Sequence, residues 1–298
     1  MQAILAVTVP FFALVLAGYL AGRRHVLPES AIPGLNAFVL YFALPCMLFR
    51  FGSTTPVMEL LNPAVLGTWL LAAGLIVFFT IATSLGARVG LKDAAFGALV
   101  AAFPNTGFMG VPLLVALLGP AAAGPVICSV VADLFVTSSA CIALAQAHEA
   151  SGHGSRVAAL RALRGALSNP LPWAAAAGAL FSATGLKLFG PLEVMVRMLA
   201  DASSPVALFT IGTVLWRAGQ HAHTRTPWPD YVPVALIKLF LHPLLVLAAA
   251  LPSASNVSLL AERYGADNGR IARIVMTSTV LAFVSFSLLA WAFGVSPA

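Results

Sequence analysis

Charge is what this chain lacks. Of its 298 residues only 9% are Asp, Glu, Lys or Arg, 16 basic against 10 acidic, while 60% are hydrophobic. A soluble domain carries about a quarter charged residues. No polar shell exists to hold such a core in water, so soluble enzymes, nucleic-acid binders and disordered adaptors are excluded together. The net charge of +6 reads instead as an orientation signal, because basic residues of membrane proteins gather in cytoplasmic loops. Cysteine is equally scarce. Cys46, Cys128 and Cys141 stand in apolar stretches without paired or Cys-x-x-Cys spacing, which gives disulfides, metal binding and redox chemistry no support. The first 22 residues carry no charge, and without a basic leader they are expected to be a retained helix rather than a cleaved signal.

Long apolar runs fill most of the chain. A helix crosses about 30 Å of hydrocarbon with about 20 residues. Runs of that order with few or no charges occupy 3–21, 32–49, 63–87, 94–118, 122–147, 170–188, 200–216, 231–251 and 274–293. Two starts are well marked, since Asn62-Pro63 and Asn169-Pro170 each offer an N-cap side chain with proline next to it at the first helical position. Loop charges alternate. Arg23 and Arg24 come after the first span, the loop 52–62 holds only Glu59, and Arg88 and Lys92 come after the third span. After the fifth span come Arg156, Arg161 and Arg164. The positive-inside rule then places the amino terminus outside and makes 148–169 a cytoplasmic linker between two halves, 1–147 and 170–298. His221 and His223 lie in a similar loop, and one His-x-His pair is weak evidence for a metal.

The halves look duplicated. Pro45-Cys-Met-Leu-Phe49 in the second span recurs as Pro205-Val-Ala-Leu-Phe209 in the seventh, 160 residues later. The fourth span carries Phe103-Pro-Asn-Thr-Gly-Phe-Met-Gly-Val-Pro112, and Leu251-Pro-Ser-Ala-Ser-Asn256 stands at the corresponding place in the second half. Proline removes a backbone donor and clashes with the preceding turn, and Gly107 and Gly110 loosen the next turn, so Pro104 and Pro252 are expected to break their helices inside the bilayer. Such a break survives only where protein or water satisfies the freed backbone groups, which implies a polar site near the midplane. Five spans per half, an odd number, make the second repeat inverted, the plan of many secondary transporters. Half-helix N-termini would favour an anion there, and Asn105 and Asn256 offer both donors and acceptors. Pro45 and Pro205 are either hinges or simple kinks. Gly18 and Gly22 have the GxxxG spacing of close helix packing.

Each intramembrane charge is expensive enough to be a functional candidate. Asp133, deep in the fifth span, is a candidate to exchange a proton, bind a cation or anchor hydrogen bonds. Lys238 could neutralise an anion, pair with Asp133 or snorkel to the surface. Asp201 reads as a surface residue and His242 as a packed helix residue.

These elements resemble the auxin efflux carrier family, in its shorter prokaryotic branch of malonate and other organic-acid permeases. The resemblance spans nearly the whole chain. It rests on Asn36-Ala-Phe-Val-Leu-Tyr-Phe-Ala-Leu-Pro45, Pro104-Asn-Thr-Gly-Phe-Met-Gly-Val-Pro112, Ser204-Pro-Val-Ala-Leu-Phe-Thr-Ile-Gly212, Lys238-Leu-Phe-Leu-His-Pro243 and Pro252-Ser-Ala-Ser-Asn-Val-Ser-Leu-Leu-Ala-Glu-Arg-Tyr264. It implies an all-α integral membrane fold of ten helices in two inverted five-helix repeats. The broken fourth and ninth helices would cross at the substrate site, as in sodium/proton antiporters and bile-acid symporters. It also implies a homodimer-forming scaffold of the first, second, sixth and seventh helices, and a transport domain that moves like an elevator. By motif, Asn105, Thr106 and Gly107 would meet the substrate from the fourth helix, and Ser253, Ser255 and Asn256 from the ninth. Pro45, Pro104, Gly110, Pro205 and Pro252 are the crossover and hinge positions.

One stretch departs from that pattern. Two crossings must fit into the 31 residues 231–261, about 46 Å of helix where two passes need about 60 Å. Pro45 and Pro104 are 59 residues apart but Pro205 and Pro252 only 47. A half-helix is therefore expected to be missing after Pro243, near 244–249, either lost by the protein or omitted from the chain. The resulting expectation is a secondary transporter of a small organic anion in the cytoplasmic (inner) membrane. It would be uncoupled or coupled to a proton or sodium, without a cofactor or chemical transformation. The alternative is a passive channel or ligand sensor built on the same broken helices. No nucleophile elbow, paired aspartates or metal cluster supports an intramembrane enzyme.

Overall fold

The computed structural model describes residues 2–56, 58, 62–147, 170–220, 226–254 and 256–295. The linker 148–169, the caps at Asn169, His221 and His223, Ser255 and the side chain of Asn256 lie outside the described residues. The described residues form helices and no strand, apart from one isolated bridge. In chain order the helices are α1 (Gln2–Arg23), α2 (Ala31–Thr54), α3 (Pro63–Ser84), α4 (Leu91–Ala102), α5 (Thr106–Leu118) and α6 (Pro120–Gln146). Then come α7 (Pro170–Thr184), α8 (Gly190–Gln220), α9 (Val232–Leu244), α10 (Asn256–Arg263) and α11 (Asn268–Ala292). Six of them, α1, α2, α3, α6, α8 and α11, are long and apolar enough to cross a bilayer. The chain is an all-α integral membrane protein.

Local sequence explains the element boundaries. Asn62 caps α3 as its spacing predicts, its side chain accepting from the N–H groups of Ala64 at 2.9 Å and Val65 at 3.3 Å. Pro63 takes the first helical position, where no N–H is needed. The run 94–118 is not one helix: α4 stops at Ala102 and α5 starts at Thr106, as Pro104 requires. By contrast α8 passes through Pro205 without interruption.

The helices pack as two bundles. In the first, α1 lies on α8, α8 on α2, and α2 on α7. Glycines set these contacts. A Cβ on Gly18 would stand 1.9 Å from the Phe209 carbonyl oxygen, and one on Gly212 would stand 2.0 Å from that of Val15. Gly178 and Gly52 play the same part between α7 and α2. The Gly18-x-x-x-Gly22 pair is thus a packing seam, with Gly22 against the Trp216 ring. The second bundle gathers α3, α4, α5, α6, α9, α10 and α11.

Two clusters identify the ends of the molecule. At one, Arg270 is 2% exposed and donates to the carbonyls of Asp230 at 2.6 Å and Asp93 at 2.7 Å and to Ser84 Oγ at 3.2 Å. It ties the starts of α4, α9 and α11 to the end of α3. At the other, Ser182 Oγ donates to the Thr55 carbonyl at 2.9 Å, and the exposed pair Arg50–Asp201 stands at 2.6 Å.

The run 231–251 does not make a full span. α9 is about 20 Å long, shorter than the hydrocarbon core. Val246 is extended, Leu247–Ala250 form one 3₁₀ turn, and Leu251 leads into the second break. No unbroken helix runs through Leu251.

Candidate functional site: a crossing of two interrupted helices

Pro104 and Ser253 form an antiparallel bridge. The N–H of Asn105 donates to the Pro252 carbonyl at 2.8 Å, and the N–H of Ala254 to the Phe103 carbonyl at 3.0 Å. Two backbone segments that have left their helices therefore satisfy one another where neither water nor a helix turn can. The Ser253 N–H is met by Ser278 Oγ of α11 at 3.2 Å, which also bonds Ser253 Oγ at 3.1 Å. Asn105, Thr106 and Ser253 are all buried. The Asn105 carbonyl accepts from Met109 at 3.1 Å and Gly110 at 2.9 Å, while its carboxamide oxygen, buried, finds no hydrogen-bond partner among the described residues.

Pro104, Asn105, Thr106, Gly107, Gly110, Pro252 and Ser253 come together at this crossing. Gly110 packs closely there, since a Cβ would stand 2.8 Å from a Leu251 methyl, which would have to shift. Gly107 faces Leu44 of the first bundle, one residue before Pro45. Pro45 is half-buried and lies just after a π-helical turn, Val39–Ala43. Pro205 is exposed within α8.

Each break also frees a carbonyl upstream, and one element covers both. The Ala101 carbonyl would accept from Asn105 in a continuous helix, but that N–H is committed to Pro252. His242 Nδ1 takes its place at 3.2 Å. The Ala249 carbonyl would accept from residue 252 in its 3₁₀ turn, but proline has no N–H. Lys238 Nζ donates to it at 2.5 Å. Lys238 and His242 are both 0% exposed, so snorkelling of Lys238 is overturned: α9 is anchored inward by the second break. His242, read from sequence as a packed helix residue, is packed but also hydrogen-bonded to the first break.

Asp133 is 0% exposed beside this element. Its Oδ1 accepts from Trp69 Nε1 at 2.9 Å and Thr137 Oγ1 at 3.0 Å, and Oδ2 has no partner among the described residues. No direct ion pair joins Asp133 to Lys238 among the described residues, although their charges act on one another electrostatically. Both sit on π-helical turns, Asp133–Thr137 and Ile237–Leu241, a local widening common at functional sites. Sequence reasoning missed Trp69, Thr137 and Ser278. The i, i+4 spacing of Asp133 with Thr137 and of Lys238 with His242 was the available signal.

Known proteins share this plan of sequence. The chain is 29% identical over 307 aligned positions to a protein of Rhizobium meliloti (strain 1021) named "Putative malonate transporter", covering 95% of this chain and 93% of that one. That alignment is longer than the 298 residues of this chain, so the relative carries residues with no counterpart here. Escherichia coli (strain K12) has an "Uncharacterized transporter YfdV", 25% identical over 297 positions and 92% of each chain. A Methanothermobacter thermautotrophicus "Uncharacterized transporter" is 25% identical over 296 positions, 92% of this chain and 93% of that one. The protein is a multi-pass membrane transporter and not an enzyme. Matched over residues 3–290 by the family described as membrane transport protein, the chain belongs to that family, the auxin efflux carriers that its motifs resemble.

Proposed function

We propose that the protein is a secondary active transporter that carries a small organic anion, a carboxylate, across the cytoplasmic membrane by elevator-like alternating access. The observation that carries this reading is the antiparallel crossing of Pro104 with Ser253, two helix interruptions joined back to back in the apolar interior. The start of α5 points the positive end of its backbone dipole at the crossing. Asn105, whose buried carboxamide oxygen lacks a partner among the described residues, offers a ligand both a donor and an acceptor. The malonate named for the Rhizobium relative supports a carboxylate. Thr106, Gly107, Ser253, Ser255 and Asn256 complete the proposed site.

On this reading residues 1–147 and 170–298 are inverted repeats joined by the cytoplasmic linker 148–169, with the amino terminus outside. The glycine-seamed bundle of α1, α2, α7 and α8 is the fixed, homodimer-forming scaffold, and the second bundle moves. The test is counterflow. Purified protein in liposomes preloaded with acetate, lactate, malonate or succinate is expected to exchange at least one labelled carboxylate saturably. Asn105→Ala is expected to cut that exchange at least tenfold while the protein remains monodisperse. Unsaturable flux would point to a channel, and binding without flux to a sensor.

A further inference from the structure

We propose that His242 is the proton carrier of this transporter, binding one proton at Nε2 for each substrate molecule moved. The proposal rests on the transport reading above and assigns its coupling ion. A backbone carbonyl can only accept, so the 3.2 Å contact of His242 Nδ1 with the Ala101 carbonyl fixes the neutral tautomer: the hydrogen is on Nδ1 and the lone pair on Nε2. That Nε2 is buried and has no partner among the described residues. It is an open proton acceptor within a dry helical bundle, on a ring whose other nitrogen holds a carbonyl released by the first break.

The charges around it explain why a proton and an anion would travel together. Among the described residues, each element packed near the ring brings its own groups. α3 presents Trp69, whose ring centroid is 6.0 Å from that of His242. α4 presents the Ala101 carbonyl, with Lys92 and Asp93 two turns away at its start. α6 presents Asp133, with Cys141 beside it. α9 itself presents Lys238, and α11 carries Arg270 and Arg273 at its distant first turns. Asp133 and Lys238, being of opposite sign, add no net charge whether both are ionised or both neutral. A carboxylate entering the crossing leaves the buried space one charge negative, a costly state so far from water. A proton on Nε2 restores neutrality.

Asp133 Oδ2 is the competing acceptor, but it has no hydrogen bond to either break, whereas His242 is bonded to the backbone four residues before Asn105. Protonation strengthens the Nδ1–H···O=C bond by making it charge-assisted, so the proton's presence is felt directly by the first break. The proton comes from water on the side of uptake, adds to the Nε2 lone pair and leaves to water on the other side. Nδ1–H remains on Ala101 throughout.

The test is proton-to-substrate stoichiometry in liposomes, with whichever of the four carboxylates exchanges. Wild type is expected to take up about one proton per substrate molecule and to accumulate substrate at least tenfold when the interior is alkaline. His242→Asn keeps a donor at the Nδ1 position without a titrating nitrogen. It is expected to show slowed counterflow, a proton ratio near zero and no response to the proton gradient. His242→Gln, which moves the amide to the Nε2 position, provides a second non-titrating variant should the first fail to fold. A proton ratio of zero in wild type, an unchanged ratio in either folded variant, or loss of coupling in Asp133→Asn alone overturns the proposal. Absence of counterflow in wild type overturns the transport reading itself.

Discussion

A neighbour's guanidinium can demand glycine as firmly as a turn does. Gly97 on α4 lies under Arg270, and a Cβ there would stand 2.7 Å from Nη1. An arginine end usually swings aside, but this one is held by Asp230, Asp93 and Ser84. Gly97→Ala is therefore expected to cost about 1–3 kcal/mol, the usual range for an overfilled core. It would appear as a lowered thermal midpoint of the purified protein, with little change in Gly67→Ala, where no atom lies within 4 Å. Such residue-level demands were partly legible. Asp133 declared itself by standing charged in an apolar run, and Asn105 by coming directly after a mid-membrane proline. The partners of Lys238 and His242 were not legible, because the carbonyls of Ala249 and Ala101 become available only when two distant breaks have formed. Burial then decides between snorkelling and anchoring.

At the scale of elements, the π-helical turns matter most. A π turn holds one residue more than the α-helix it interrupts and resets the direction of everything after it. In α9 that extra residue lies between Lys238 and His242, within Ile237–Leu241. Deleting Leu239 would restore an α-helical turn and rotate His242 by about 100° relative to the preceding segment, away from Ala101. Counterflow is expected to fall at least tenfold in protein that still elutes as a single species, and retention of full exchange would show that the π turn is dispensable. The breaks were readable from Pro104-Asn-Thr-Gly and Pro252, and the shortage of chain in 231–261 was readable from length alone. The π turns were not, since one added residue in a uniformly apolar run leaves no mark on hydropathy.

At the scale of the whole molecule, the two bundles meet differently from the way each is built. Within the first, α1 and α8 touch backbone to backbone at Gly18 and Gly212. Between the bundles, α1 meets α11 through the hydroxyls of Thr8 and Ser287 at 3.3 Å and the edge-to-face rings of Phe12 and Phe283 at 5.2 Å. Beside them lies an apolar groove of about 450 Å³ lined by α1, α8 and α11. Elevator movement would have to pass along this boundary. Thr8→Cys with Ser287→Cys, oxidised to a disulfide, is expected to arrest counterflow until a reductant is added, and a cross-linked carrier that still exchanges substrate would place the movement elsewhere. The proposed division into halves rests on the repeated Pro-x-x-Leu-Phe pattern, whereas the choice of which helices share a bundle depends on glycine contacts across the chain.

The loose seam between α1 and α11 has a consequence for how this protein can vary. On the elevator reading, shear there would meet side chains instead of interlocked main chain, so Thr8, Phe12, Phe283 and Ser287 would contribute to the barrier to each stroke. None of these four residues belongs to the crossing. On that reading, substitutions at these four positions would change the speed of exchange without altering the polar groups of the crossing.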